Sequence, residues 1–461
     1  MSEAKHTEQV DALRRFKPYQ AYKDSGVEWL GEIPAGWEVK RLKNCVQRLE
    51  SGGTPESANF DYWTDDESGT PWVAISDMTR GFHVRDTAKR VTERGRRSKR
   101  LPLLPAGTLL YSMYASLGKV ALLEIDAVVN QAILGLVTRD ELVSRDYLRW
   151  WLEFMQGHVH MLSSSNTQDN LNADKVRKMP VFAPGPDVQP GIAAFLDRET
   201  ARIDALVAKN ERLIELLQEQ RTALITRAVT KGLDPNVPLK DSGVEWLGEI
   251  PTHWESRPLK VQCDIRGRIG YRGYAVDDIV PEGQGAITLS PGNIREDGLD
   301  LSECTYLSWD KYRESPEIQI EPRDIILTKT GSTLGKGAIV ARCDEPMTIN
   351  PQLVILRHRE VTSAEFLAYI LRCDGMKDLY WLENSGGATP TVSQQKVGKF
   401  SVPVPPLREQ GGIAHFLDRE ILKIDALIAN VRDVINRLKE LRTALICAAV
   451  TGKVDVREEV A

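Results

Sequence analysis

The sequence predicts a mixed α/β (α+β) protein that arose by tandem duplication, with two globular domains separated by two long helices. The string KDSGVEWLGEIP occurs at residues 23–34 and again at residues 240–251, an offset of 217. Residues 192–234 and 413–455 align without a gap and place apolar residues at seven-residue intervals. Short strand-like runs such as TPWVAI and DIILTKT lie between these repeats. Because twelve identical residues cannot recur by accident, two related halves with pseudo-twofold symmetry are expected.

Each half has the same order, namely a turn, a globular region and a long helix. The glycines and proline of the repeated string predict a turn, and its apolar residues predict a packing face. The two globular regions share little sequence, so we expect the shared parts to set geometry and the globular parts to recognise two different targets. The predicted segments are a lead-in (1–21), a first globular domain (22–186), a first helix (187–232), a second globular domain (233–406), a second helix (407–455) and a tail (456–461).

The long helices are predicted from apolar residues every seven positions and a second stripe four residues further on, the pattern of a coiled-coil seam. About 40 residues at ~1.5 Å each give a rod of roughly 60 Å. Gly232 and Gly452 stand where C-terminal caps are expected. The predicted seam and partner-facing residues are Leu196, Ile203, Val207, Ile214, Leu217, Leu224, Leu417, Ile424, Ile428, Ile435, Leu438 and Leu445.

Further apolar residues widen this stripe and predict a second partner surface. Asn210 interrupts the first seam where Val431 stands in the second. It is either a water-facing position or a polar residue that fixes the helix register. The residues that widen the stripe are Leu206, Leu213, Leu427, Val434 and Leu441.

Composition indicates a soluble globular protein that acts in the cytoplasm. The 461 residues are 42% hydrophobic and 27% charged, and no apolar run approaches the roughly 20 residues of a membrane span. The N-terminus is polar and lacks a signal-peptide pattern. None of the six cysteines forms a CxxC pair, so neither a zinc site nor a disulfide framework is expected. The net charge of −5 can hide a local basic patch.

The motifs predict a chain that is not an enzyme. The segment GSTLGKG, residues 331–337, has three residues between its first glycine and Gly-Lys, whereas a phosphate-binding P-loop needs four. The seven histidines are dispersed, and no nucleophile–base arrangement or methyl-donor motif stands out. Neither a catalytic residue nor a metal ligand is therefore assigned.

Basic clusters indicate contact with nucleic acid instead. Residues 80–100 carry nine arginines and lysines against two acids, and such clusters bind phosphate by releasing counterions. The segment RGRIGYRGY interleaves arginine with tyrosine and glycine, and arginine can read guanine through paired hydrogen bonds. A solvated loop and a flexible structural loop remain the respective alternatives. The candidates from these two segments are Arg80, Arg94, Arg96, Arg97, Lys99, Arg100, Arg266, Arg268, Tyr271 and Arg272.

Small-polar loops supply the remaining candidates for DNA contact. Leu117-Gly118-Lys119 is echoed by Leu334-Gly335-Lys336 at the same offset of 217, so backbone contact or groove insertion is expected there, against an ordinary β-turn. The loop SGGTP, residues 51–55, and the polar loops near residues 166–168 and 387–389 are further possibilities. These loops contribute Gly52, Gly53, Thr54, Ser116, Lys119, Gln168, Lys329, Ser332, Thr333, Lys336 and Thr389.

Together these features resemble the specificity (S) subunit of Type I restriction-modification systems. The resemblance is carried by KDSGVEWLGEIP followed by Trp, by the two divergent globular regions, and by helices of the pattern IxxFLDRExxxIDAL that end in RTALI. It covers residues 22–455. SGGTP, SLGK, RIGYRG and GSTLGKG are similar to segments of that family's target-recognition domains.

The resemblance implies a non-catalytic subunit whose two target-recognition domains each read one half of a split, asymmetric double-stranded DNA site in the major groove. It implies that the two long helices pair antiparallel, set the spacing of the halves and dock two modification (M) subunits. Those subunits bind S-adenosylmethionine and methylate an adenine in each half. Restriction (R) subunits, which use ATP and Mg²⁺, complete the complex. This chain itself is expected to hold no cofactor and to contact no membrane.

The residues leave one alternative of another class open, a coiled-coil scaffold or adaptor that does not read DNA. Its globular domains would bind proteins, and the basic segment 80–100 would have no role.

Overall fold

The computed structural model describes residues 16–114, 116–159, 171–268, 270, 273–295, 298–385, 387 and 389–459. The chain divides into two compact units. The first comprises Met1–Glu211 with Asp433–Ala461, and the second comprises Arg212–Arg432. Both long helices are therefore shared between the units. The division runs through the middle of each helix, whereas the segments predicted from the sequence follow element ends.

The first unit is a mixed α/β domain, as predicted. Its strands are β1 (Tyr22–Asp24), β2 (Glu32–Pro34), β3 (Glu38–Arg41), β4 (Val46–Ser51), β5 (Trp63–Thr64), β6 (Thr70–Val73), β7 (His83–Val84), β8 (Lys89–Val91), β9 (Leu109–Ser112), β10 (Val120–Leu123), β11 (Val128–Val129), β12 (Ile133–Thr138) and β13 (Pro180–Ala183). Its helices are α1 (Leu42–Cys45), α2 (Ile75–Thr79), α3 (Glu93–Ser98), α4 (Arg145–Gln156), α5 (Ala173–Lys178) and the first part of α6 (Gln189–Lys231).

Two sheets form the body of this unit, with strand orders β4-β12-β9-β10-β7 and β11-β6-β8-β5. The interior strand β12 begins with four buried residues, ILGL. Helix α4 starts at an N-cap, where the Ser144 hydroxyl accepts a hydrogen bond from the Tyr147 N–H. Its apolar face packs into the same core as the sheet, and Tyr147 and Trp151 share this core with Leu134 and Leu136.

The second unit repeats this topology. Its strands are β14 (Leu239–Asp241), β15 (Glu249–Pro251), β16 (Glu255–Pro258), β17 (Cys263–Arg266), β18 (Ile279–Val280), β19 (Gly285–Leu289), β20 (Thr305–Ser308), β21 (Ile325–Thr328), β22 (Gly337–Ile339), β23 (Met347–Ile349), β24 (Leu353–His358) and β25 (Ser401–Val404). Its helices are α7 (Leu259–Gln262), α8 (Trp309–Arg313), α9 (Ala364–Arg372), α10 (Asp374–Leu382), α11 (Gln394–Lys399) and the first part of α12 (Leu407–Val450).

The sheets of the second unit match those of the first, except that the edge strand β7 has no counterpart among the described strands of the second unit. The order β17-β24-β21-β22 corresponds to β4-β12-β9-β10, and β23-β19-β20-β18 corresponds to β11-β6-β8-β5. The parallel pairing of β11 with β6 likewise recurs between β23 and β19. The two globular regions therefore keep one fold although their sequences have diverged.

Within each unit the long helices pair with each other. In the first unit Arg442 binds Asp204 at 3.0 Å, and Lys439 lies 3.8 Å from Glu211. The later residue of α6 thus pairs with the earlier residue of α12, so the two helices run in opposite directions. In the second unit Arg221 lies 3.5 Å from Asp425. The predicted antiparallel pairing is confirmed in the first unit.

Most of the predicted seam is buried. Leu196, Ile203, Leu417, Ile424, Ile428, Ile435 and Leu445 are at most 7% exposed, and Val207, Ile214, Leu217, Leu224 and Leu438 are intermediate. Of the residues expected to widen the stripe, Leu441 packs on the core, whereas Leu206, Leu213, Leu427 and Val434 are 40–50% exposed. Asn210 is partly buried, and its side-chain amide donates to the Leu206 carbonyl at 2.8 Å.

The predicted helix caps are confirmed, and they explain why the string and the helix are duplicated together. Gly232 and Gly452 have φ values of +74° and +72°, which favour glycine. A Cβ at residue 452 would overlap the Pro34 ring, and one at residue 232 would lie 3.2 Å from Trp254. The first copy of the string thus closes against a helix C-terminus through Pro34, and in the second unit Trp254, three residues after the string, packs against the other helix C-terminus. The six cysteines are free thiols, and no helix formed by the described residues is long and apolar enough to cross a membrane.

Candidate nucleic-acid interface

In both units a short strand ends in the same asparagine turn. After β11, the Asn130 side-chain oxygen accepts from the Ala132 N–H at 2.9 Å, and after β23 Asn350 does the same for Gln352 at 2.9 Å. The Asn130 N–H donates a hydrogen bond to the Val73 carbonyl, and the Asn350 N–H donates one to the Leu289 carbonyl. Asparagine suits this place because its short side chain replaces a backbone acceptor in a turn. We call residues 130–132 and 350–352 the Asx turns.

In the first unit the loop SGGTP lies against its Asx turn. The Gly53 N–H donates to the Val129 carbonyl at 2.9 Å, and the Thr54 hydroxyl donates to the Gln131 side-chain oxygen. A Cβ at Gly52 would overlap the Val129 carbonyl oxygen, so the close approach requires glycine. The structure thus brings Gly52, Gly53 and Thr54 together with Gln131.

The end of the basic segment joins this group. A Cβ on Gly53 would lie 3.6 Å from the Lys99 Cβ, so residues 99–101 border the SGGTP loop. Arg100 has a φ of +50° and closes helix α3. Its N–H donates a hydrogen bond to the Arg97 carbonyl, and the Leu101 N–H donates one to the Arg96 carbonyl. Glycine is the usual residue at such a cap. Both Lys99 and Arg100 are exposed, and neither side chain has an ion-pair partner among the described residues.

The other candidate arginines of the basic segment form ion pairs with nearby carboxylates. Arg96 and Arg97 bind Glu93 one turn back on α3, at 2.9 and 2.7 Å, and these two guanidinium groups lower the pKa of Glu93 to about 2. Arg94 pairs with Asp61 at 2.8 Å, and Arg80 lies 3.8 Å from Asp77. Exposed pairs of this kind are weak, so a phosphate can replace the carboxylate. Their role in DNA contact stays a prediction.

The second unit braces its Asx turn with a different group. Arg268 is 9% exposed, and its guanidinium donates to the Ile349 carbonyl at 3.2 Å and to the Thr348 hydroxyl at 3.3 Å. It also lies over the Tyr274 ring, and burial lowers its pKa. Ile349 precedes the turn as Val129 does in the first unit. This geometry favours a bracing role for Arg268 over the base contact predicted from the sequence.

Lys329 lies beside the second Asx turn. Its N–H donates to the Gln352 carbonyl at 2.9 Å, and its carbonyl accepts from Val392. The Lys329 side chain is half-buried, burial lowers its pKa, and it has no ion-pair partner among the described residues. Thr389 is exposed on the neighbouring loop. In that loop the Pro390 carbonyl accepts a hydrogen bond from the Gly331 N–H. Arg266 pairs with Asp264 at 3.4 Å.

The echoed loops are equivalent tight turns between β9 and β10 and between β21 and β22. The Lys119 N–H donates a hydrogen bond to the Ser116 carbonyl, and the Lys336 N–H donates one to the Thr333 carbonyl. The glycine before each lysine has a positive φ. A Cβ at Gly335 would overlap the Tyr380 ring, so this turn packs on its own domain. The β-turn alternative accounts for the echo. Ser332 is exposed there, and Lys119 lines a cavity with Glu153 and Asp204. Gln168, Tyr271 and Arg272 lie outside the described residues.

Sequence reasoning missed the two glutamines of the Asx turns, Gln131 and Gln352. A signal for them exists, because a β-branched pair followed by Asn and a nearby Gln occurs in both halves, as VVNQ and TINPQ. Among the described residues, no group of three or more His, Cys, Asp or Glu side chains is arranged to hold a metal ion.

The comparison with family models identifies the class of protein that carries this fold. The model described as "Type I restriction modification DNA specificity domain" matches residues 34–216 and 314–437, and the chain therefore belongs to this family. It is a DNA sequence-recognition subunit of the type I restriction-modification class, and as a specificity subunit it is non-catalytic, as predicted.

Individual relatives agree with this assignment. The chain is 23% identical over 449 residues to the putative type I restriction enzyme MjaX specificity subunit of Methanocaldococcus jannaschii, covering 93% of this chain and 96% of that protein. It is 25% identical to the MjaIX specificity subunit of the same organism, but that match covers only 41% of this chain and 43% of the relative. The scaffold alternative finds no support among them.

A solved structure shares the fold. A chain from a structure solved to study the complex assembly and conformational transition of the type I R-M system superposes on this chain with a TM-score of 0.71 at 15% sequence identity. The superposition covers 92% of this chain and 99% of that one. The predicted fold class is confirmed.

Proposed function

We propose that each globular domain reads one half of a split, asymmetric DNA site. The observation that supports this proposal is that the two units repeat one fold but place different side chains against their Asx turns. The two units share strand order and Asx turns, yet Gly53 and Thr54 stand against the first turn where Arg268 and Lys329 stand against the second. One framework that presents different side chains suits the recognition of two different half-sites.

The partners in this proposal are double-stranded DNA, two M subunits and R subunits. S-Adenosylmethionine belongs to the M subunits, which would methylate an adenine flipped out of the duplex, and ATP with Mg²⁺ belongs to the R subunits. The exposed leucines and valine of the long helices, Leu206, Leu213, Leu427 and Val434, are suited to bind the M subunits because apolar surface gains stability when covered. The complex would act in the cytoplasm, where its DNA lies.

A domain exchange tests the division of labour. Residues 38–185 are replaced by the corresponding region of another specificity subunit, and the hybrid is produced with the M partner. The proposal predicts that methylation-aware sequencing finds one half of the motif changed and the other half unchanged. The reciprocal exchange of residues 255–405 should change the opposite half. If either exchange altered both halves, independent reading would be wrong.

A further inference from the structure

Each Asx turn carries one glutamine that is available to a ligand. In the first unit Gln131 is exposed, and its oxygen accepts from the Thr54 hydroxyl. In the second unit Gln352 is partly buried, and its oxygen accepts from the Asn350 amide at 3.2 Å. Neither side-chain NH₂ group donates to any described residue. Both glutamines are thus oriented through their oxygens, and their donors are left open.

The turns that hold these glutamines are rigid. Each is closed by its asparagine, tied to the neighbouring strand by the asparagine N–H, and braced on the carbonyl before it by Gly53 or Arg268. A side chain on a fixed turn loses little conformational entropy when it binds, which favours specific recognition.

Cations that form no ion pair with any described residue accompany both glutamines. Lys99 and Arg100 border the SGGTP loop that contacts Gln131, and Lys329 is bonded through its backbone to Gln352. Such cations attract phosphate without reading sequence, whereas an amide with one acceptor and two donors can distinguish bases. Phosphate contacts beside an amide are the combination expected where a protein reads a base edge.

We propose that Gln131 and Gln352 are specificity-determining residues, each of which reads the major-groove edge of one adenine in its own half-site. Glutamine matches adenine because its oxygen accepts from N6 while its NH₂ group donates to N7. Each oxygen keeps a second lone pair for this purpose beside its internal hydrogen bond. This inference rests on the proposed function, in which each unit reads one half-site.

The test uses the full-length chain, produced with its M partner in a host that lacks the system. The variants are Gln131→Ala and Gln352→Ala, with the exposed glutamines Gln47→Ala and Gln284→Ala as matched controls in the same two units. Methylation-aware sequencing reads the motif of each variant, and thermal unfolding checks that each is folded. Because neither glutamine is fully buried, no loss of fold is expected.

The expected result is local and separate for each unit. Gln131→Ala should lower discrimination for adenine at one position of one half-site by about ten- to hundredfold. Gln352→Ala should do the same in the other half, and both controls should keep the wild-type motif. If both variants kept that motif at every position, or relaxed the same half, the inference would be wrong while the proposed function stood. If the wild-type complex methylated no split motif, the proposed function would fail and the inference with it.

Discussion

Two adjacent glycines of the SGGTP loop meet very different surroundings. The position of a Cβ at Gly52 is filled by the Val129 backbone oxygen, which cannot move without breaking the sheet, whereas a Cβ at Gly53 would meet the flexible end of Leu101 at 3.0 Å. The glycine pair is visible in the sequence, but only the fold shows which member is needed for the close approach.

Gly52→Ala is therefore expected to lower the free energy of unfolding of the first unit by about 1–3 kcal/mol, in the range of overpacked sites. Gly53→Ala is the matched control and should cost under about 1 kcal/mol. Urea unfolding of both variants measures the difference. Equal losses would contradict the described packing of this loop.

Arg100 adopts a left-handed conformation at a place where glycine would be free of strain. Arg100→Gly and Arg100→Ala both remove the charge, so both should reduce DNA affinity and lower the salt dependence of binding by about one phosphate contact. Only glycine relieves the backbone, and Arg100→Gly should be more stable than Arg100→Ala by about 1 kcal/mol.

Thermal unfolding and salt-titrated DNA binding of the M-containing complex separate these two effects. If both variants bound DNA like the wild type, Arg100 would have no phosphate contact and its strained conformation would need another explanation.

The long helices are the part of the fold that could be predicted best. Their heptads are local, and the helices end at Lys231 and Val450, one and two residues before the expected glycines. The order of the sheets could not be predicted, because their strands have between two and six residues and pair across long stretches of chain. The pairing of Arg96 and Arg97 with Glu93 could have been foreseen from spacings of three and four residues on one helix. The burial of Arg268 could not, since it depends on Thr348 and Ile349, which lie on one strand 80 and 81 residues further along the chain.

Arg442 connects helix α12 to the globular part of the first unit. It binds Glu153 of α4 at 2.7 Å and Asp204 of α6 at 3.0 Å, and it lies over the Trp150 ring. Arg442→Ala leaves the partly buried Glu153 carboxylate and the exposed Asp204 carboxylate without their cation and removes the contact with Trp150, so the free energy of unfolding should fall by about 1–3 kcal/mol. Chemical denaturation measures it.

The matched control for Arg442→Ala lies on the same helix. Arg437 is exposed and, among the described residues, pairs only with Asp433 one turn away, at 2.9 Å. Arg437→Ala should change stability by no more than about 0.5 kcal/mol. If the two substitutions had the same effect, the bridge of Arg442 to α4 would not stabilise the unit.

Helices α6 and α12 have 43 and 44 residues, and each belongs partly to both units. If their length sets the spacing of the half-sites, an insertion of seven residues in both should lengthen the spacer. One heptad keeps the seam in register and adds roughly 10 Å, or about three base pairs at ~3.4 Å each.

The insertions belong within residues 211–220 and 432–441. Methylation-aware sequencing should then find the same two half-sites with a longer gap, and insertion in one helix alone is the control that disturbs the seam. An unchanged gap in the double insertion would show that the helices do not measure the spacer.

The duplicated framework with divergent contents leads to one claim about the whole chain, that it directs methylation to a split DNA site with two different halves. Genomic DNA sequenced with methylation detection, from otherwise identical cells with and without this gene, tests it most directly. We expect one bipartite, non-palindromic adenine-methylated motif to be present with the gene and absent without it. An unchanged methylation pattern, or the loss of a continuous palindromic motif, would contradict the claim.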